Sequence, residues 1–81
     1  MTFELFSRVA LRADLPEHNL KSGDVATIVE HHPVSNGEDG YSLEVFNAVG
    51  ETVAVITVAE SQLGPLTRNA VLHVRVLEGA A

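Results

Sequence analysis

Four histidines are the side chains most able to do chemistry in this 81-residue chain: His18, His31, His32 and His73. His31 and His32 are adjacent, so in a strand they point to opposite faces and do not readily share one metal ion. No His-x-His pair, helical i,i+4 pair or cysteine is present to complete a tetrahedral set. We therefore predict solvated or hydrogen-bonded histidines, with no metal and no cofactor.

The serines and carboxylates give no catalytic signature either. No serine lies in a nucleophile motif, and no pair of carboxylates has a spacing that fixes their separation. Glu17-His18 is the one acid–imidazole dyad in the chain. It either orients the imidazole toward a partner or caps the amides of its own loop, and the second interpretation is favoured. The prediction is a protein without catalytic residues.

Composition and charge narrow the class of partner. Eleven acidic residues against five basic ones give a net charge of −6, and the absence of cysteine excludes disulfides. Nucleic-acid affinity depends largely on clustered basic residues. Here they are scattered, at positions Arg8, Arg12, Lys21, Arg68 and Arg75. No signal peptide or membrane-spanning run is recognisable, so a cytoplasmic location is expected.

Residues 15–30, LPEHNLKSGDVATIVE, are predicted to organise the fold. Gly23 accepts a positive φ without steric cost, and Ser22 and Asp24 can bond neighbouring backbone groups, so a turn is expected there. The run Val25–Val29 is β-branched on both faces, as in a central strand. Leu15 and Leu20 are expected to fold inward and hold the loop to the core; two exposed leucines are the alternative.

Alternation and turn residues predict five strands. They are placed at Val9–Leu11, Val25–His31, Tyr41–Val45, Thr52–Val58 and Val71–Leu77. The β-branched run Thr52–Val58 is apolar enough to be a central strand. A single helical or 3₁₀ turn at Ala59–Leu63, ended by Gly64-Pro65, precedes the last of them. We predict an all-β fold, a small five-stranded SH3-like barrel, with an OB-type barrel as the alternative. One domain over residues 1–78 and a frayed tail at 79–81 are expected.

Two resemblances support this fold. Residues 14–25 and 27–30, with the later stretches 41–45 and 57–63, resemble a short bacterial family, domain of unknown function 4926 (DUF4926), over roughly residues 5–76. That resemblance implies no activity. More loosely, residues 21–28 are similar to the KOW motif of ribosomal and transcription-elongation SH3-like domains. Ala26 stands where that motif usually has a second glycine, and the surrounding basic residues are missing.

The function predicted from the residues is a small non-enzymatic protein-binding module, with another protein or a second copy as partner. Its rim contacts are predicted at Leu15, Pro16, Glu17, His18, Leu20 and Tyr41, and Gly23 and Asp24 are predicted to form the structural turn. One alternative is a KOW-like nucleic-acid-binding domain that uses Lys21, Arg8 and Arg75 on phosphates. Another is an accessory subunit that supplies packing surface to a larger enzyme.

Overall fold

The structure, a computed structural model, describes residues 3–77 of the chain. It contains five strands and two 3₁₀ turns. The strands are β1 (Arg8–Leu11), β2 (Val25–His32), β3 (Gly40–Phe46), β4 (Thr52–Ala59) and β5 (Leu63–Pro65). The 3₁₀ turns are η1 (Pro16–His18) and η2 (Glu60–Gln62). No α-helix occurs within residues 3–77.

All five strands form one antiparallel sheet in the order β4-β3-β2-β1-β5. Chain neighbours β1 to β4 follow one another across the sheet, and η2 then returns the chain so that β5 pairs with the free side of β1. The all-β, five-stranded prediction is confirmed. The sheet is open, because within the described residues no ladder joins its edges β4 and β5. The SH3-like class therefore stays a prediction.

The loop between β1 and β2 has the conformation expected from its residues. Leu15 and Leu20 exchange two backbone hydrogen bonds of 2.9 and 3.1 Å, and both side chains are buried. Asn19 ends η1 in the left-handed region with a φ of 58°, which asparagine tolerates better than most residues. Gly23 follows with a φ of 94°. The prediction that these leucines hold the loop to the core is confirmed.

The core lies on one face of the sheet and is lined by alternate residues. On β3 the inward side chains are Tyr41, Leu43 and Val45, while Ser42 and Glu44 are half-buried on the other face. Tyr41 is the largest buried side chain; its ring stacks on His31 with centroids 4.8 Å apart, and its hydroxyl accepts a 3.1 Å hydrogen bond from the Phe3 amide. Hydrophobic burial on this face is the main source of stability.

Two of the predicted strands are wrong in position or role. The fifth strand is Leu63–Pro65, within the stretch where a turn was expected to end, and residues 71–77 belong to no strand. The physical reason is topological: β1 already has β2 on one side and β5 on the other, so no free edge of β1 remains. β4, predicted to be central, is an edge strand that pairs only with β3 among the described residues. The predicted frayed tail at 79–81 lies outside the described residues.

Candidate protein-binding surface

The six predicted rim contacts divide into two groups. Leu15, Leu20 and Tyr41 are buried in the core, so their side chains are not available to a partner, and their role is corrected to core packing. Apolar side chains in a loop tend to be buried. The sequence does not distinguish such a buried leucine from one that is exposed as a contact for a partner. The remaining three, Pro16, Glu17 and His18, form η1 and are exposed to solvent.

The predicted structural turn at Gly23 and Asp24 is also bonded to the C-terminal part of the chain. Asp24 accepts a 2.8 Å hydrogen bond from the Lys21 amide, which closes the turn. The Arg75 guanidinium donates to both oxygens of the same carboxylate, with the Nε–Oδ1 distance at 2.8 Å. A third bond, 3.3 Å long, runs from Arg75 to the Asn19 carbonyl at the end of η1.

The electrostatics of this ion pair follow from its position. Burial alone would raise the pKa of Asp24, but the hydrogen bond from Arg75, the Lys21 amide and the Arg75 charge together hold the pKa below its usual value of 3.8. The two side chains are 16% and 29% exposed for Asp24 and Arg75. The pair therefore ties residues 51 positions apart while remaining in contact with water.

The C-terminal segment, residues 71–77, lies beside the sheet, and its contact with the domain is made by a polar side chain. Its polar Arg75 faces its own domain through Asp24, whereas Val74 and Val76 are 86% and 82% exposed. Val71 and Leu72 are exposed as well. An open cleft of about 890 Å³ separates the segment from the adjoining parts of β2, β3 and β4. The segment is thus held by its arginine rather than packed by its apolar side chains.

The edge strand β4 is the second apolar surface. Its outward side chains include Val53 and Val55, which are 39% and 65% exposed, and Phe46 on the adjoining β3 is also exposed. The whole strand, TVAVITVA, contains no charged residue and no proline. Natural edge strands are commonly protected from pairing by such residues, by bulges or by a covering segment. One bulge, at Val45/Phe46, lies where β3 and β4 meet near their hairpin.

Charge is divided unevenly between these parts. Residues 1–65 contain ten acidic and three basic residues, a net charge of −7, whereas residues 66–77 contain two arginines and no acid, a net charge of +2. Opposite potentials on two surfaces favour their encounter and fix their orientation. The folded sheet is therefore complementary in sign to the segment that follows it.

The histidines of β2 make contacts that the sequence did not reveal. His31 Nε2 lies 2.7 Å from Asp39 Oδ2, and Asp39 Oδ1 also accepts the Val34 amide at 3.0 Å. The hydrogen bonds from His31 and from Val34 lower the pKa of Asp39. These bonds close the loop between β2 and β3, and hairpin pairing brings the two residues together even though they are eight positions apart.

His32 contacts a serine, but not in the geometry of a hydrolase. Its Nε2 lies 2.7 Å from Ser42 Oγ and 3.7 Å from Glu30 Oε1, so hydroxyl and carboxylate approach the same nitrogen. A catalytic triad needs the acid on the other ring nitrogen. Ser42 Oγ also lies 3.3 Å from Thr57 Oγ1, which makes the group a cross-strand hydrogen-bond network. Within residues 3–77, no three metal-ligating side chains cluster.

These features define a small all-β domain built on one open antiparallel sheet, with an uncharged edge and an apolar segment beside it. The chain belongs to the family described as domain of unknown function (DUF4926), whose model matches residues 5–65. No curated protein and no solved structure matches significantly. The family match ends at the last residue of β5, so the C-terminal segment lies beyond it. Among the described residues, no helix is long and apolar enough to cross a membrane.

Proposed function

We propose that this chain is a non-enzymatic protein-binding module that receives an extended segment of a protein along the open edge of β4. The observation that carries the proposal is the edge itself. Eight residues long, it has no charged side chain, no proline and no partner other than β3 within residues 3–77. An edge of this kind presents unpaired backbone donors and acceptors that readily pair with another strand.

The chemistry of the occupant follows from the surface around the edge. Main-chain hydrogen bonds to β4 require an extended backbone, and the outward Val53 and Val55 favour apolar side chains at alternate positions. The net charge of −7 on residues 1–65 favours basic residues at the positions between them. The proposed ligand is therefore an extended, basic segment with alternating apolar side chains.

The exposed loop residues are proposed as a second contact region. Pro16, Glu17 and His18 lie on η1, and η1 is joined to the C-terminal segment by the hydrogen bond from Arg75 to the Asn19 carbonyl. A partner bound beside the segment would therefore reach η1 without crossing the core. A role as an accessory subunit of a larger enzyme is one form of the same protein-binding function.

Nucleic-acid binding is less well supported. Of the three basic residues proposed for phosphate contacts, Arg75 is bonded to the Asp24 carboxylate. A phosphate would have to displace that carboxylate, and it would approach a domain whose first 65 residues carry a charge of −7. Counterion release from five scattered basic residues gives little affinity.

A labelled seven-residue peptide that alternates valine and lysine tests the proposal. Fluorescence anisotropy should show saturable binding to the full chain, and Val55→Lys should weaken it because a charge is placed on the edge. Val49→Lys is the matched control: Val49 is 79% exposed in the turn before β4, and its change should leave binding intact. Equal binding to all three proteins, or no binding to any of them at concentrations where the chain is monomeric, would refute the proposal.

A further inference from the structure

We infer that the occupant of the β4 edge is the C-terminal segment of a second copy of this chain, so that two copies exchange residues 71–77 reciprocally. This inference rests on the proposed function, since it names the ligand of the same edge. It arises from residues 71–77, which have the composition of a strand but pair with no strand within the described residues.

The segment has the chemistry expected of the ligand. Its sequence, VLHVRVL, places Leu72, Val74 and Val76 at alternate positions, with His73 and Arg75 between them. Seven extended residues span about 23 Å, which is close to the roughly 26 Å of an eight-residue strand such as β4. Length and alternation therefore agree.

The orientation of the segment presents it to another molecule. Arg75 is bonded to Asp24 of its own domain, and the neighbouring Val74 and Val76 are almost fully exposed. Exposed contiguous apolar side chains on a small domain mark interaction surfaces. The ion pair anchors the segment, while Leu72, Val74 and Val76 line the open cleft and remain exposed enough to be covered by another molecule.

The same anchor favours a second copy over the chain's own β4. Asp24 lies at the start of β2, and β4 is two strands away, about 10 Å at the usual spacing of strands. Pairing the segment with its own β4 would require the Arg75–Asp24 pair to break. Pairing with the β4 of another copy keeps it. Because each copy offers both a segment and an edge, two equal contacts close a two-fold dimer.

Sedimentation equilibrium of the full chain tests this dimer. We expect a species of twice 8.7 kDa for the unmodified chain. Val74→Lys on the segment and Val55→Lys on the edge should each raise the dimer dissociation constant about tenfold or more, which corresponds to 1.4 kcal/mol. Val49→Lys, with the same change of charge at another exposed valine, should remain dimeric. Circular dichroism should show that all three variants keep the β fold, because all three sites are exposed.

The other outcomes overturn the inference. A chain that stays monomeric up to millimolar concentration would show that a second copy is not the occupant of the β4 edge. Binding of the valine–lysine peptide to that monomer would still support the proposed function. A dimer that persists in Val74→Lys would show that the segment is not part of the dimer interface. A dimer that persists in Val55→Lys would show that the β4 edge is not part of it. A monomer that also fails to bind the peptide would refute the inference and the proposed function together.

Discussion

β3 and the C-terminal segment have similar sequence patterns and opposite environments. Both are seven residues long and alternate apolar with polar residues over the five central positions, in GYSLEVF and in VLHVRVL. β3 has a strand on each side and buries Tyr41, Leu43 and Val45. The segment has no strand partner among the described residues, and its Val74 and Val76 point to solvent.

The difference shows that alternation alone does not make a strand. A strand needs a neighbour whose backbone groups are unpaired, and in β3 the hairpins to β2 and β4 supply two of them locally. By the time the chain reaches residue 71, β5 has filled the free side of β1. The segment is attached through Arg75, which bonds Asp24 and the Asn19 carbonyl, and this attachment is weak compared with a buried core.

The largest expected effect comes from removing a side chain in each region. Leu43→Ala should lower the free energy of unfolding by about 2–5 kcal/mol, because Leu43 is fully buried and its loss leaves a cavity. Leu72→Ala, the same change in the segment, should alter it by less than about 0.5 kcal/mol at concentrations where the chain is monomeric. Urea unfolding followed by circular dichroism measures both. Similar losses in the two variants would mean that the segment is part of the core.

A smaller effect is expected at the turn before β2 that the C-terminal segment contacts through Asp24. Gly23→Val should destabilise the domain by roughly 1–3 kcal/mol, since a β-branched residue is strained at a φ of 94°. A Cβ at Gly23 would meet nothing within 4 Å, so the cost is conformational rather than steric. Gly40→Ala is the control, because Gly40 has no positive φ and its contacts are of ordinary length. An unchanged melting temperature in Gly23→Val would contradict this account of the turn.

The anchor of the segment should contribute less again. Arg75→Ala should cost about 0.2–1 kcal/mol, because the pair with Asp24 remains in contact with water. Its clearer signature is local: NMR order parameters of the backbone of residues 71–77 should fall while those of β3 do not change. Arg68→Ala, at an exposed position before the segment, is the matched control. Equal order parameters in the two variants would show that the ion pair does not hold the segment.

The smallest effect is in the dependence of stability on pH. The folded-state pKa values of Asp24 and Asp39 lie below 3.8, so both contribute stability that is present above pH 3.8 and is lost as the pH falls through the lowered values. Asp24→Asn and Asp39→Asn should therefore each reduce the loss of stability below pH 3.8. In Asp24→Asn the segment should also be released at neutral pH, as in Arg75→Ala. In Asp39→Asn the segment should stay in place, because the Asp39 carboxylate bonds His31 and Val34 rather than the segment.

Local features of this chain were predictable from its residues. The turn at Gly23, the inward Leu15 and Leu20 and the first four strands all depend on interactions within a few positions, and each was placed to within one or two residues. The fifth strand was misplaced because seven alternating residues look more like a strand than Leu63-Gly64-Pro65 does. The turn at η2 returns the chain to β1, and Leu63–Pro65 therefore pairs with β1 in place of residues 71–77.

The candidate site was less predictable than the fold. Arg75 and Asp24 are 51 positions apart, and no spacing rule connects them. Tyr41, named as a surface contact, is fully buried because β3 is central and its odd-numbered residues face the core. The exposed Val55 belongs to a strand whose composition is that of an interior strand. Its position at the edge follows from the sheet order, which is a property of all the strands together.

The sequence by itself determined that this chain is all-β with a glycine-dependent turn at Gly23, because propensity, alternation and residue chemistry act locally. The tertiary structure decided which strand stays at the edge, which apolar residues face water and which arginine holds the C-terminal segment. Those outcomes depend on competition between distant segments for a limited number of unpaired backbone edges. That competition is settled only when the whole sheet is assembled.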